Sequence, residues 1–381
     1  MLQQLSQSQR DFICLWYLVQ HSLSSFYKLL DYYGSVPSAI AARHDWAILN
    51  LHRSHVKRVQ EFEQPLQQAH FEKLLHSIQT HSDFIVTFQD DAYPQQLLNY
   101  VDKPPLIFGQ GQLNILNEAQ IAIVGSRKPS PHGRQVAYDF AYYLSEQGFY
   151  INSGLALGID EAAHLGGLQH GRTLAVMATG LDQTYPRQHH NLRTQILDQG
   201  GTVITEFLPF TPPLQHNFPR RNRIVSGLSL GVLVAEATLK SGSLITAKIA
   251  AEQGKSIFAI PGHIYSDHHQ GCHQLIREGA ILVDHPEQIV EDLALATQWQ
   301  HQQLHPQHTA TLTIKPVAEP KVPAHLQALY TTLDWQGQSL DQLCARLQLD
   351  AADLTAKLME LELFGLAMQQ SGLYLRCGSA Q

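Results

Sequence analysis

Between Ile121 and Pro261 the chain repeats one unit: a short apolar run, a turn rich in glycine or basic residues, then a stretch with helical spacing. The runs are Gln120–Val124, Phe149–Ser153, Thr173–Thr179, Thr202–Glu206, Gly231–Glu236, Ser256–Ile260 and Ala280–Val283. Most are continuously apolar rather than alternating. A strand of that kind is covered on both faces, as in a parallel sheet with helices above and below it. The alternation of strand and helix predicts a doubly wound, mostly parallel α/β sheet, an extended Rossmann-like domain over residues 81–295. Within it, residues 83–118 read as strands and turns, with Tyr93-Pro94 and Pro104-Pro105 as breakers.

Such a sheet also dictates where a ligand sits. The C-terminal strand ends share one edge. A helix N-terminus there presents free N–H groups and partial positive charge, and a glycine lets the backbone approach an anion closely. The turns on that edge are Gly125-Ser126-Arg127, Ser153 to Asp160, Thr179 to Asp182 with Tyr185-Pro186-Arg187, Phe218 to Arg223, and Ser241-Gly242-Ser243. Their convergence predicts a site for a ligand with many phosphates.

The flanks differ. Residues 1–80 read as helices: Leu23 to Ser35 has a serine cap candidate, apolar residues at helical spacing and a terminating glycine. This segment resembles small helical modules of the SAM or helix-hairpin-helix (HhH) type, which bind DNA or protein. Residues 296–322 are rich in Gln, His and Pro and read as a linker. Residues 323–381 follow a winged-helix pattern, with helices starting after Ser339 and Asp350 and a ribbon from Leu366 to Arg376 around Gly372. The would-be recognition helix carries Asp350, Asp353, Glu360 and Glu362 against Lys357 alone. A helix entering a DNA groove needs phosphate-neutralising side chains, so this domain reads as a protein-contact module.

Charge limits the possibilities further. The net charge is -7, which argues against a general nucleic-acid binder, but Lys+Arg and Asp+Glu are equal in number across residues 121–290. A local concentration of positive charge in a cleft is sufficient for a polyanion. No apolar run reaches membrane-spanning length and no leader pattern opens the chain, so the expected location is the cytoplasm. Cys14, Cys272, Cys344 and Cys377 lack paired spacing and read as free thiols.

Among the turns, Gly125-Ser126-Arg127 is neither a G-x-G-x-x-G fingerprint nor a P-loop. Arg127 on the rim can grip phosphate bidentately, or can simply cap a surface loop. In the Ser153 to Asp160 turn, Gly154 and Gly158 allow a tight strand-to-helix connection, and Asp160 is expected to cap the helix. Arg220, Arg221 and Arg223 open a predicted helix and read as a polyanion grip with Asn222 adding amide hydrogen bonds; Phe218 and Ile224-Val225 would anchor them. A solvated charge run is the alternative. Ser241, Gly242 and Ser243, with Lys240, can donate to phosphate, and Glu236 is expected to fix neighbouring arginines or N–H groups. His263, His268, His269, Cys272 and His273 match no zinc spacing. No nucleophile motif is present, so neither a catalytic residue, a metal nor a cofactor is expected.

Taken together these segments resemble the DNA-processing protein A family (DprA/Smf). The carrying residues are Val124 to Arg127, Ser153 to Asp160 with Ala162-Ala163-His164, Gly180-Leu181-Asp182 with Tyr185-Pro186, Phe218-Pro219 with Arg221 to Ile224, Val234 to Ala237 with Ser241 to Ala247, and Phe258 to Gly262 with Gly271-Cys272. The resemblance implies a cytoplasmic protein of natural transformation that binds and protects incoming single-stranded DNA, forms a homodimer and loads the RecA recombinase. It places Arg127, Arg221, Asn222 and Arg223 on phosphate-contact motifs. Arg187 stands where family members often have lysine. The full candidate set is Gly125, Ser126, Arg127, Ser153, Gly154, Gly158, Arg187, Arg221, Asn222, Arg223, Ser241, Gly242 and Ser243. A rival reading is a nucleotide phosphoribohydrolase of the lysine-decarboxylase-like fold, whose P-G-G-x-G-T-x-x-E motif is replaced here by Ser241 to Thr246. A pure interaction scaffold would leave the arginine-rich segment unexplained.

Overall fold

The computed structural model describes residues 4–294, 322–334, 337–370 and 372–376, in two compact units, Met1–Ala296 and Thr297–Gln381. The predicted linker, apart from Val322, and Cys377 lie outside the described residues.

The first unit is built on a nine-stranded sheet. Its strands are β1 (Phe84–Thr87), β2 (Leu106–Gly111), β3 (Gln120–Gly125), β4 (Tyr150–Ser153), β5 (Thr173–Val176), β6 (Thr202–Thr205), β7 (Gly231–Glu236), β8 (Ser256–Ala259) and β9 (Ile281–Leu282). Their order is β1-β2-β6-β5-β4-β3-β7-β8-β9. From β6 to β9 every pairing is parallel, while β1 and β2 add an antiparallel edge. The run read as Thr173–Thr179 leaves the sheet after Val176, and the Thr205 hydroxyl then donates to the carbonyls of Met177 and Thr179.

Burial accounts for the unbroken apolar runs. Ile121 and Ile123 of β3 belong to one core, and Ala122 and Val124 to another on the opposite face. Both faces of the strand are dry. The chain starts in the middle with β3, lays β4, β5 and β6 to one side, then crosses back to place β7, β8 and β9 on the other. The crevice of such a sheet opens where that direction switches, outside the C-terminal ends of β3 and β7.

The amino-terminal helices are α1 (Gln7–Leu18), α2 (Leu23–Tyr33), α3 (Val36–Ala41), α4 (Arg53–Phe62) and α5 (Pro65–His81), and those that follow among the sheet strands include α6 (Gln95–Leu98), α7 (Pro131–Glu146), α8 (Ile159–Leu168), α9 (His190–Asp198), α10 (Asn217–Leu228) and α11 (Ser243–Glu252). Ser6 closes α1 with a capping box, Ser22 caps α2, and Gly34 ends α2 at φ 75°. Phe12, Trp16 and Leu18 share one core with Phe108, Met177 and Val203 of the sheet unit. The helical segment is thus part of the same compact unit. Trp16 Nε1 fastens it, donating to the Glu206 carbonyl at 2.8 Å.

The second unit has helices Gln327–Thr332, Leu340–Leu347 and Ala351–Leu363 and a three-stranded antiparallel sheet with Leu373–Arg376 in the centre. Leu329, Leu343, Leu354, Leu358 and Leu361 form its core. Ser339 and Asp350 cap the two helices expected to follow them. The arrangement is a winged helix. Among the described residues, no helix is long and apolar enough to cross a membrane.

Candidate functional site

The crevice at the switch point is an open cavity of about 770 Å³. Its walls come from the exits of β3 (Gly125 to Lys128), β4 (Gly154 and Ala156) and β7 (Thr238, Ser241 to Ser243), and from α10 (Asn217–Leu228). Of the candidate residues, the cavity brings together Gly125, Ser126, Arg127, Gly154, Arg221, Asn222, Ser241, Gly242 and Ser243.

The other four sit elsewhere. Ser153 is buried and its hydroxyl donates to the Ile123 carbonyl at 2.6 Å. Gly158 lies behind the β3 loop at φ 85°, where a Cβ would stand 2.4 Å from the Ser126 carbonyl oxygen. Arg187 is exposed in an adjacent recess with Thr184, Tyr185 and His190, and Tyr185 and Pro213 border both hollows. Arg223 is buried, and Nη2 pairs with the buried Glu206 carboxylate, which Arg220 also grips at 3.0 Å.

Several expectations need correction. Phe218 to Arg223 is not a turn before a helix but the first turns of α10 itself. Residues on successive helical positions point in different directions, so the three arginines cannot act as one grip. Arg220 and Arg223 neutralise Glu206, and Arg221 alone reaches the cavity. Glu206 shows the consequence: burial alone would raise its carboxyl pKa, yet Arg223 and Arg220 hold it below the usual range.

Asp160 is not the cap of its helix either. It is the second residue of α8 (Ile159–Leu168), whose cap position is Gly158. Its carboxylate turns back and accepts from the N–H groups of Gly154, at 3.1 Å, and Ala156, at 3.3 Å. These are the donors that made this turn look like an anion site. An internal anion already fills it. Arg221 faces the same carboxylate and lies flat on Gly154, where a Cβ would come within 1.8 Å of Nη1; it also donates to the Val176 carbonyl at 2.7 Å. Burial pushes the Asp160 carboxyl up, opposed by Arg221 and the loop N–H groups. Burial brings the Arg221 guanidinium down to about 10, with Asp160 opposing and Arg127 adding to the shift, so it stays charged at neutral pH.

Glu236 likewise serves the fold. It accepts from the N–H and hydroxyl of Ser130, the cap of α7 (Pro131–Glu146), and contacts His268 Nδ1 at 3.1 Å. It fixes N–H groups as expected, but no arginine. Among the described residues no three His, Cys, Asp or Glu side chains are placed to hold a metal, and the histidines after β8 make separate contacts. His273 Nε2 meets the backbone of Gly262, and Cys272 Sγ contacts the Val234 carbonyl, its thiol pushed up to about 12 by burial.

The open part of the site is the outer rim. Arg127 is exposed, has no carboxylate partner among the described residues, and its guanidinium stands 5.2 Å over the Phe218 ring. Tyr185, 42% exposed, packs its ring 5.5 Å from the same phenylalanine. Lys128 adds a second exposed cation, and the Asn222 amide has no protein partner among the described residues. Opposite, α11 (Ser243–Glu252) starts at Gly242 with no side-chain cap, beside the Ser241 and Ser243 hydroxyls. The Tyr185–Phe218–Arg127 stack was not foreseen: its members come from distant turns, and Phe218 read as an anchor.

The comparisons with known proteins agree with this architecture. The family model for DNA recombination-mediator protein A matches residues 84–294, and that for the DprA winged helix domain matches residues 314–372. Protein Smf of Escherichia coli (strain K12) is 47% identical over 216 residues, 56% of this chain and 58% of its own length, so this chain spans little more than half of that relative. The X-ray structure of DNA processing protein A from Streptococcus pneumoniae superposes with a TM-score of 0.65 at 35% identity, covering 76% of this chain and 98% of that one. DNA processing protein A from Helicobacter pylori, studied for its single-stranded DNA binding mode, gives 0.52 at 28% identity over 57% of this chain and 98% of its own. With more than half its length matched by the family model, this chain belongs to the DNA recombination-mediator protein A (DprA/Smf) family.

Proposed function

We propose that the protein binds single-stranded DNA along the rim of this crevice, chiefly through its sugar–phosphate backbone. The observation that carries the reading is Arg127, an exposed cation with no carboxylate partner among the described residues, stacked on Phe218 beside Tyr185. Single-strand sites combine cations that follow the phosphates with aromatic faces on which bases stack. Arg221 adds a buried charge behind the rim, Ser241, Gly242 and Ser243 add hydroxyl and N–H donors, and Arg187 extends the path past Tyr185. The described single-strand binding of the Helicobacter pylori relative supports the same assignment. Binding, not turnover, is the role: the strand-end carboxylate of a hydrolase would correspond to Glu236, which is buried and taken up by Ser130 and His268. Protection of incoming DNA in the cytoplasm, homodimer formation and loading of RecA complete the proposal on the strength of the family resemblance. Titration with single- and double-stranded oligonucleotides at several salt concentrations tests the binding step. A preference for single strands, steep loss with salt and little sequence dependence are expected. Equal affinity for duplex, or a flat salt response, would overturn it.

A further inference from the structure

A second hollow of about 610 Å³ lies within the first unit, where the amino-terminal helices meet the loop after β6. Tyr17, Arg58, Lys73 and Phe210 shape it. Arg58 stands 4.7 Å over the Tyr17 ring and Lys73 Nζ 5.6 Å from the Phe210 ring. Neither cation has a carboxylate partner among the described residues. Phe210 is 52% exposed and held at φ 65°, a left-handed conformation that a phenylalanine rarely adopts. Its N–H is pinned by the Asp182 carboxylate at 3.0 Å. The loop thus spends backbone strain to present an aromatic face to water next to a lysine.

This hollow repeats the chemistry of the crevice: cations with no carboxylate partner among the described residues seated on aromatic rings, with one ring open to solvent; Arg58 Nη1 is steadied by the Tyr17 carbonyl at 3.3 Å. The two are separated only by the loop after Phe210. Pro213 borders both the crevice and the Arg187 recess, and Pro212 and Leu214 line the second hollow. We infer that the hollow is a second single-strand subsite, which takes a phosphate between Arg58 and Lys73 and a base on Phe210, from the strand that leaves the crevice past Arg187. The inference rests on the binding role proposed above. It gives the helical segment a share of the DNA path, which the crevice alone would not need.

The test compares a short oligothymidylate, long enough only for the crevice, with one several times longer. The variants are Lys73→Glu and Phe210→Leu, with Arg127→Ala as the control for the crevice. Thermal unfolding of each variant checks that it is folded. Lys73 is exposed, so its replacement leaves the core untouched. Lys73→Glu should weaken the long strand about tenfold or more, lower its salt slope by about 0.7, and leave the short strand unchanged. Phe210→Leu should reduce the quenching of a fluorescent base placed far along the long strand. Arg127→Ala should weaken both strands. If folded Lys73→Glu and Phe210→Leu match the parent on the long strand while Arg127→Ala fails on both, the second subsite is refuted and the crevice stands. If the parent protein binds neither strand, the binding role itself falls.

Discussion

The turns after β4 and β7 look alike in sequence, each a small-residue segment with glycine leading into a helix, yet the fold uses them in opposite ways. After β4, the Gly154 and Ala156 N–H groups donate to the Asp160 carboxylate, and Arg221 closes over them. After β7, the cap position is Gly242, which has no side chain to offer; the Ser241 and Ser243 hydroxyls bond each other at 2.6 Å, Ser241 Oγ accepts weakly from the Ser243 N–H at 3.4 Å, and no carboxylate bonds to this turn among the described residues. A glycine turn at a helix N-terminus is an anion site only when no carboxylate of the chain lies within reach of its donors. The same distinction separates two arginines on α10. Arg221 lines the crevice; Arg223, two residues on, is committed to Glu206.

Four experiments press on that contrast. The largest effect is expected from Asp160→Ala. It leaves the buried Arg221 without its counter-charge and the loop donors unfilled, so denaturant unfolding should show a loss of about 3–5 kcal/mol. A stability within 1 kcal/mol of the parent, on the order of an exposed site, would mean that Asp160 does not hold the turn.

Arg223→Leu should destabilise by less, because Arg220 still faces Glu206. The pH dependence supplies the sharper readout. Glu206 has a depressed pKa, so its stabilising contribution is present above the unfolded value of about 4.3 and is lost as pH falls through the folded value. The stability gap between parent and variant should therefore be widest above that pH and narrow in acid. A gap that stays constant down the acid limb would break the assignment of Arg223 to the fold.

Arg127→Ala should leave unfolding unchanged and weaken single-strand binding by about 1.5–3 kcal/mol, the value of a charge-assisted contact. A parallel loss of stability would move Arg127 to the structural side of the comparison. Smallest of all, Ser241→Ala and Ser243→Ala should each weaken binding by about 0.5–1.5 kcal/mol with no effect on folding. Unaltered affinity in both would show that the turn after β7 is open but unused.

Much of the architecture is legible in the chain. Runs such as Ile121 to Val124 announce strands covered on both faces, and Ser339 and Asp350 announce helix starts, because burial and capping act over a few residues. The site is legible as a set of turns but not as a division of labour. Nothing near Arg223 in sequence names Glu206 as its partner, and Asp160 resembles a cap until its carboxylate is seen to turn back to Gly154.

The sequence by itself determined the strand–turn–helix repeat, the winged-helix pattern with its acidic helix, and the edge of the sheet on which glycines and cations gather. These follow from hydrophobic periodicity and local backbone preference, which neighbouring residues set. Only the tertiary structure decided which donors meet an internal carboxylate and which face water, that Arg127, Phe218 and Tyr185 stack, and that the helical segment shares a core with the sheet. Those outcomes depend on distances between residues far apart in the chain, and charge pairing and stacking act only once packing has brought the groups together.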